Sequence, residues 1–332
     1  MKPALSPEIL LQATGRLTQN TPFSSHRFRS LLFSERMNSV QYRGRLAPSP
    51  TGYLHIGHAR TFWIAQQRAE AARGNLVLRN DDIDAVRAKM SFTEAMLEDM
   101  RWLGLRWQEG PDCGGPFGPY EQSQRRALYE AAFKKLQTGG WLYPCRCSRK
   151  DVLRALQAPH DADEGPIYPG TCRPNPASPG LSDKKDPCSK TKLNWRFRVP
   201  DGESIEFVDG CFGRQQFVAG RDFGDFVVWR HDDVPSYQLS VVVDDAAMQI
   251  TEVVRGADLL LSTARQLLLY RAFGFSPPAF YHCPLVTDEA GVRLAKRHDS
   301  LSLRTMRLQG ITPEMARERM SREWSSAQCG IK

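Results

Sequence analysis

Two histidines at the start of a predicted helix, His55 and His58, restrict the possible fold of this chain more than any other feature of its sequence. They follow a proline-rich loop at residues 48–52, and the helix is predicted to run from Gly57 to about residue 73. A helix N-terminus presents unpaired N–H groups and a positive dipole end to a phosphate, and a glycine lets a purine ring approach the backbone. The pattern therefore predicts a nucleotide site at this turn. The alternative is that both histidines only cap the helix.

The elements around this helix predict an α/β fold. An apolar strand over residues 42–47 precedes the helix and another over 75–79 follows it, an order typical of a parallel βαβ unit. Further helices are predicted over 91–102, 122–138 and 259–273. Ser91 and Glu94 are predicted to form a capping box at the first of these. Further strands are predicted over 195–199, 204–208, 215–218, 226–229, 240–243 and 249–254.

Two segments interrupt this pattern. Residues 1–36 hold five basic and two acidic residues and lack periodicity, so we expect no packed structure there. Their composition partly resembles a transit peptide, but Met37 stands just before the first strand, and a start codon placed too early is the favoured interpretation. Residues 141–192 are rich in Pro, Gly and Cys and are expected to form an irregular insertion. The predicted division is 1–36, 37–140, 141–192, 193–310 and a tail at 311–332.

The charge of the chain favours a polyanionic partner. Its formal net charge is +8, and about +5 remains without the five basic and two acidic residues of segment 1–36. Such a balance suits nucleic acid or a nucleotide without distinguishing them. No stretch approaches the roughly 20 apolar residues of a membrane helix, so no membrane partner is expected. Eight cysteines, including the pair Cys145 and Cys147, favour a metal site in a reducing compartment and therefore a cytoplasmic protein.

A second cationic element lies far downstream, at residues 293–297. It contains Arg293, Lys296 and Arg297 within one short stretch. On a loop these cations would hold a triphosphate and stabilise the charge that develops on a leaving pyrophosphate. A solvated basic turn is the alternative, but the presence of both elements in one chain favours the phosphate role.

These two elements resemble the HIGH motif and the KMSKS loop of class I aminoacyl-tRNA synthetases. Residues 45–58, RLAPSPTGYLHIGH, are similar to the opening of the glutamyl branch, and the resemblance extends over about residues 42–310. The motifs GPYEQS, DFV, PSYQL, VVVDD and VRGAD follow in family order at 118–123, 225–227, 235–239, 241–245 and 254–258. The resemblance implies an ATP-dependent ligase with an α/β, Rossmann-like catalytic domain and an inserted acceptor-type subdomain.

The resemblance also implies an ATP site and a glutamate site. Similar enzymes make an aminoacyl-adenylate from the amino acid and Mg²⁺-bound ATP, and the matching catalytic residues are His55, His58 and Lys296. The matching ATP-binding positions are His55, Gly57, His58, Leu294 and Lys296. The matching glutamate-binding positions are Arg45, Ala47, Ser49, Asp81, Tyr237 and Arg255. Two guanidiniums, a phenol and a carboxylate complement the two carboxylates and the ammonium of glutamate.

Three residues depart from the family pattern. Asp81 stands where a glutamate is usual, which shortens the reach to the ammonium and leaves room for a water. Arg293 and Ala295 replace the first lysine and the serine of the KMSKS loop, whereas Lys296 is retained. The expected clamp on the phosphates is weakened by these changes but kept.

A zinc site found in one branch of this family matches Cys145, Cys147, Tyr168 and Cys172. Three thiolates and a tyrosine oxygen would hold a structural Zn²⁺ in tetrahedral geometry and stabilise the irregular insertion. Cys188 and His160 are alternatives to Tyr168 as the fourth ligand. A set of free cysteines is the alternative to a metal site.

The same branch places glutamate on queuosine in the anticodon loop of tRNA(Asp) rather than on a tRNA 3′ end. Only 36 residues follow Lys296, so we expect no anticodon-binding domain, and the sequence Tyr237-Gln-Leu also fits this branch. The expected partners are glutamate, ATP and the anticodon stem-loop of queuosine-containing tRNA(Asp), with the protein acting as a monomer. A glutamyl-tRNA synthetase fragment that charges a 3′ end and a non-catalytic RNA-binding paralogue are the alternatives.

Overall fold

The predicted βαβ unit forms the start of the fold. The structure, a computed structural model, describes residues 41–148, 150–152, 167–174, 193–285 and 302–326, and only the backbone of 321–326. The strands are β1 (Arg43–Leu46), β2 (Asn75–Leu78), β3 (Leu142–Cys145), β4 (Asn194–Phe197), β5 (Ser204–Asp209), β6 (Gly213–Val218), β7 (Phe226–Trp229), β8 (Glu252–Gly256) and β9 (Ala279–Cys283). The helices are α1 (Ile56–Ala71), α2 (Met90–Leu103), α3 (Arg126–Thr138), α4 (Tyr237–Ala247), α5 (Leu260–Phe273), α6 (Leu303–Leu308) and α7 (Pro313–Ser326), with 3₁₀ turns at Gln122–Gln124 and Ala257–Leu259. The predicted segment 1–36 lies outside the described residues.

Two parallel βαβ units meet side by side. In the first, β1 and β2 are parallel and α1 connects them; in the second, β8 and β9 are parallel and α5 connects them. The Thr251 N–H donates to the Arg43 carbonyl at 2.9 Å, and the Arg45 side chain reaches the Val254 carbonyl at 3.0 Å. Residue numbers increase in the same direction along both strands in these contacts. β1 and β8 are therefore parallel. The carboxyl ends of all four strands therefore lie at one edge, where α/β folds of this kind bind their ligands.

The remaining strands extend or flank this core. β5 and β6 form an antiparallel hairpin, and β5 joins the edge of β9 through Asp209 opposite Phe280. β3, β4 and β7 form a separate antiparallel sheet. One buried cluster packs around α3, α4 and α5, and another packs around α1, α2, α6 and the β1–β2 pair.

Three predictions of secondary structure are wrong. Residues 240–243 lie in helix α4 and not in a strand, because a fully buried apolar run has no periodicity that separates helix from strand. Helix α4 begins after Ser236, whose hydroxyl accepts from the Leu239 N–H at 3.4 Å. Helix α2 begins at Met90, with Lys89 at the N-cap and no side-chain capping bond, so Ser91 and Glu94 do not form the predicted capping box.

The third error concerns the segment 141–192, which was predicted to be irregular from its start. Residues 142–145 instead form β3, which pairs with β4. Alternation of buried and exposed side chains along this strand is the pattern of an ordinary sheet. The predicted zinc ligand Cys145 is thus fixed at the end of a strand rather than on a loop.

Candidate active site

The two histidines of the first motif lie at the start of α1, at the carboxyl edge of the sheet. His55 is the N-cap residue, and its Nδ1 accepts from the Gly57 N–H at 3.4 Å. His55 is buried and His58 is exposed. Capping and nucleotide binding are therefore compatible at this turn, because the cap uses only one of the two ring nitrogens of His55.

The chain returns to this turn after the predicted phosphate-binding loop. The Leu303 N–H donates to the Leu54 carbonyl at 2.8 Å, and Ser302 forms a β-bridge with His55. The residues that follow the loop are thus anchored beside the histidine motif. The predicted loop residues Arg293, Leu294, Ala295, Lys296 and Arg297 themselves lie outside the described residues.

The first predicted glutamate ligands lie on β1 and the loop that follows it. Arg45 is buried, its NH1 group donates to the Val254 carbonyl at 3.0 Å, and its Nε lies 3.5 Å from an oxygen of Asp245. The Nε atom of Arg45 makes no hydrogen bond among the described residues. Ala47 is half-buried and Ser49 is exposed. Arg45 therefore keeps donor capacity at the carboxyl edge of the sheet.

Asp81 follows β2 and is bound to a neighbouring arginine. Both of its carboxylate oxygens accept from Arg79, at 2.6 and 3.2 Å, while its backbone N–H donates to the Pro48 carbonyl at 3.0 Å. Burial raises the pKa of the Asp81 carboxyl to about 6, although Arg79 opposes that shift. Each carboxylate oxygen has a second lone pair, so Asp81 remains able to accept from an ammonium on its other side.

Sequence reasoning missed the arginine that holds Asp81. Arg79 is fully buried, and its NH1 group also donates to Asp245 at 2.6 Å. The neighbouring Asp244 accepts from Arg125 at 2.6 Å and from Tyr129 at 2.9 Å. The sequence does contain a sign of this buried ion-pair network, which is the pair of aspartates in the VVVDD motif. Its partners are more than 100 residues away, however, and local patterns do not show such pairs.

Tyr237 and Arg255 meet at the opposite side of the same site. Tyr237 opens α4 and is 41% exposed, whereas Arg255 on β8 is buried. Burial lowers the pKa of the Arg255 guanidinium and the charge of Arg45 adds to this effect, whereas Asp245 and a hydrogen bond with Tyr237 oppose it. Arg45 also contacts Asp245 at 3.5 Å and the carbonyl of Val254, the residue before Arg255, at 3.0 Å. The predicted glutamate residues of β1, α4 and β8 are thus brought together.

The two arginines predicted to bind glutamate have different hydrogen-bond partners from Arg79 and Arg125, the arginines that hold buried aspartates. Arg79 and Arg125 each contact a carboxylate at 2.6 Å. Among the residues that the structure describes, the hydrogen bonds of Arg255 go to neutral groups, and Arg45 has only the longer contact to Asp245. Arg45 and Arg255 are therefore the cations of this site that remain able to take a carboxylate from a ligand.

A cluster of sulfur and oxygen donors lies at the end of β3. The Sγ atoms of Cys145, Cys147 and Cys172 all lie within 4.8 Å of one another, and Cys147 and Cys172 are 3.5 Å apart. The Tyr168 hydroxyl lies 3.4 Å from the Cys145 sulfur and 3.7 Å from that of Cys147. Sulfurs bound to one tetrahedral Zn²⁺ lie about 3.8 Å apart, from Zn–S bonds of about 2.3 Å. The donor set therefore fits a metal ion.

Buried contacts fix this cluster from behind. The Cys172 N–H donates to the Tyr168 hydroxyl at 2.7 Å, and the Arg196 guanidinium donates to the Cys145 sulfur at 3.2 Å. Arg196 also stacks 3.7 Å from the centre of the Tyr168 ring. Arg196 thus holds Cys145 and Tyr168 next to each other. The alternative ligands Cys188 and His160 lie outside the described residues.

None of the helices in the described part of the chain is both long and apolar enough to cross a membrane.

The chain matches a protein-family model over residues 41–328, that of the catalytic domain of class I tRNA synthetases (E and Q). It is 50% identical over 275 residues to a Glutamyl-Q tRNA(Asp) synthetase of Symbiobacterium thermophilum, covering 82% of this chain and 83% of that protein. It is 42% identical over 279 residues to Glutamate–tRNA ligase 2 of Nitrosococcus oceani, covering 84% of this chain but 58% of that protein.

A solved structure shares this fold. The crystal structure of the glutamate-tRNA synthetase from Elizabethkingia anophelis superposes with a TM-score of 0.66 at 30% sequence identity. The match covers 77% of this chain and 53% of that protein, so the chain spans about half the length of the solved relative.

Proposed function

Because the chain belongs to the class I tRNA synthetases for glutamate and glutamine, we propose that it activates glutamate with ATP and transfers it to queuosine in the anticodon loop of tRNA(Asp). A relative named for this activity is 50% identical and matched over most of its length, which supports this acceptor over a tRNA 3′ end. The observation that carries the activation step is the pair Arg45 and Arg255. Both are buried cations on strands whose carboxyl ends share one edge, and the nearest carboxylate contact of the pair within the described part of the chain is that of Arg45 with Asp245 at 3.5 Å.

The glutamate site follows from this charge arrangement. Arg45 and Arg255 take the two carboxylates of glutamate, with Tyr237 as a further donor, and Asp81 accepts from the ammonium. Ala47 and Ser49, on the loop after β1, line the site beside the substrate. Since Asp81 is already fixed by Arg79, its carboxylate is positioned before the ligand arrives, which lowers the entropic cost of binding.

Activation is an in-line substitution at phosphorus. An oxygen of the glutamate α-carboxylate attacks the α-phosphorus of Mg²⁺-bound ATP, the bond to the bridging oxygen breaks, and pyrophosphate leaves. His55, Gly57 and His58 at the helix start, with Leu294 and Lys296 of the downstream loop, bind ATP and stabilise the charge on its phosphates. Positioning and charge stabilisation supply the rate acceleration, and no side chain needs to take a proton in this step.

The transfer step takes place at the carbonyl carbon of the glutamyl-adenylate. A hydroxyl of the queuosine cyclopentenediol attacks the carbonyl carbon of the adenylate, the bond to phosphate breaks, AMP leaves, and the hydroxyl proton is released to solvent. The cysteine cluster serves a separate purpose. Cys145, Cys147, Tyr168 and Cys172 bind a structural Zn²⁺ that joins the end of β3 to the segment at residues 167–174.

Glutamate-dependent exchange of pyrophosphate into ATP tests the activation step. We expect exchange with glutamate in the absence of tRNA, and none with aspartate or glutamine. A non-catalytic RNA-binding paralogue would show no exchange with any amino acid. Labelled glutamate is then offered with tRNA(Asp) that contains queuosine and with the same tRNA that contains guanine. Equal labelling of both would contradict the proposed acceptor.

A further inference from the structure

A buried aspartate and histidine lie directly behind Arg255. Asp209 ends β5 and is 2% exposed, and His282 on β9 is fully buried. The Asp209 Oδ2 atom is 2.6 Å from Nδ1 of His282, while its Oδ1 atom accepts from the N–H groups of Cys211 at 3.0 Å and Phe212 at 2.9 Å. This carboxylate is therefore fixed by several donors on both oxygens.

The opposite nitrogen of His282 meets the predicted substrate arginine. His282 Nε2 lies 3.0 Å from Nε of Arg255 and 3.2 Å from the Thr263 hydroxyl, which itself donates to the Leu259 carbonyl at 3.2 Å. A guanidinium can only donate and an ionised carboxylate can only accept, so Nε2 must accept from Arg255 while Nδ1 carries the proton toward Asp209. Burial lowers the pKa of His282, although its hydrogen bond to Asp209 opposes the shift, and this direction agrees with a neutral ring. The two partners thus select one tautomer.

Other neutral groups also hydrogen bond Arg255, among them Tyr237 and the Leu259 carbonyl. Its NH1 group donates to Gln266 at 2.8 Å, and its NH2 group donates to Thr263 at 2.6 Å. All three guanidinium nitrogens are consequently fixed, yet no carboxylate among the described residues hydrogen bonds Arg255. A carboxylate in the place of His282 would orient the arginine but neutralise it. A neutral imidazole orients the arginine and leaves its charge for a ligand.

We propose that Asp209 and His282 are positioning residues that orient Arg255, through one fixed histidine tautomer, for the carboxylate of the amino-acid substrate. The proposal rests on the proposed function, since it takes glutamate as the ligand of Arg255. The ionised Asp209 polarises the imidazole and so strengthens Nε2 as an acceptor. Neither residue touches the substrate.

Asp209→Asn tests the tautomer without removing volume. The asparagine carbonyl can keep the backbone N–H groups of Cys211 and Phe212 and that of His282, which lies 3.3 Å from the same oxygen. The NH₂ group then faces the ring of His282, and the ring proton moves to Nε2. Two donors then face each other at Arg255, and we expect the KM for glutamate to rise about ten- to a hundredfold in pyrophosphate exchange. The KM for ATP should stay unchanged.

A matched pair at His282 separates positioning from simple packing. The Gln side chain in His282→Gln places an acceptor near the position of Nε2, whereas the shorter side chain in His282→Asn reaches only the position of Nδ1. Positioning predicts that His282→Gln keeps most glutamate affinity and His282→Asn loses it. Adding Asp209→Asn to His282→Gln should cause little further change, because no tautomer remains to invert. The proposal is overturned if His282→Gln and His282→Asn raise the KM for glutamate equally. It is also overturned if either variant raises the KM for ATP as much as the KM for glutamate.

Nitrogen NMR of histidine-labelled protein reads the tautomer independently of activity. The expected spectrum of the unaltered protein shows His282 protonated at Nδ1, and that of Asp209→Asn shows it protonated at Nε2. A spectrum with Nε2 protonated in the unaltered protein would contradict the proposed tautomer of His282 even if glutamate exchange is normal. Absence of glutamate exchange together with the expected tautomer would instead reject the proposed function and leave the hydrogen-bond geometry standing.

Discussion

Replacing Tyr237 by phenylalanine removes one hydroxyl from the rim of the proposed glutamate site and little else. The side chain is 41% exposed at the first turn of α4, so the change leaves no buried cavity. The effect on the free energy of unfolding should therefore stay within about 0.5 kcal/mol. The hydroxyl hydrogen bonds Arg255, the cation that we assign to a substrate carboxylate.

The expected loss follows from the charge of the ligand. A hydrogen bond from a neutral hydroxyl to a carboxylate contributes about 1.5–3 kcal/mol when it is shielded from water, as this one becomes once glutamate covers it. A factor of ten corresponds to about 1.4 kcal/mol, so the KM for glutamate in pyrophosphate exchange should rise about ten- to a hundredfold. The KM for ATP should not change, because Tyr237 is assigned to the amino acid in the proposed site and not to ATP.

Tyr53→Phe is the matched control. Tyr53 is 47% exposed, close to the exposure of Tyr237, and is not among the residues assigned to glutamate. Its loss of a hydroxyl should leave both KM values unchanged. The assignment of the glutamate site is refuted if Tyr237→Phe leaves the KM for glutamate unchanged or raises the KM for ATP by the same factor.

Three further predictions concern pH, metal and stability. Burial raises the pKa of the Asp81 carboxyl to about 6, so the ammonium-binding charge is present above pH 6 and is lost below it. The KM for glutamate should therefore rise as pH falls through 6; Asp99→Asn, which removes another carboxyl with a pKa of about 6, should leave this profile unchanged. Metal analysis of fresh protein should find about one zinc per chain, and Cys145→Ser should release it while exchange activity persists. Asp244→Ala should lower stability by about 3–5 kcal/mol in urea unfolding, because Arg125 is left buried without its carboxylate. An unchanged unfolding midpoint would contradict this role of Asp244.

The order of elements around the first motif is predictable from the sequence because local patterns determine it. The strands of the first βαβ unit have apolar runs bounded by turn residues, and α1 begins at its predicted histidine turn. Helix α4 is not predictable in this way, since residues 239–245 are all buried and show no helical period. Its position depends on packing against α3 and α5.

In the candidate site, too, some residues can be identified from local sequence motifs and others only from the tertiary structure. The resemblance supplies Arg45, Tyr237 and Arg255, and the structure brings them together. Their supporting residues were missed, because Asp209 and His282 are 73 positions apart and neither belongs to a local motif. Such pairs form only when β5 and β9 meet at the edge of the sheet. Hydrogen bonds between distant strands are a property of the tertiary fold and leave no periodic signal in the sequence.

The site on the RNA to which glutamate is transferred separates the proposed acceptor from a tRNA 3′ end. Labelled glutamate and ATP are supplied with two short RNAs, an isolated anticodon stem-loop of tRNA(Asp) that carries queuosine and a minihelix that carries the acceptor stem and 3′ end of the same tRNA. We expect label on the stem-loop that carries queuosine, none on the minihelix, and none on a stem-loop with guanine in place of queuosine. Label on the 3′ terminal ribose of the minihelix would contradict it and assign the chain to the enzymes that charge a tRNA 3′ end.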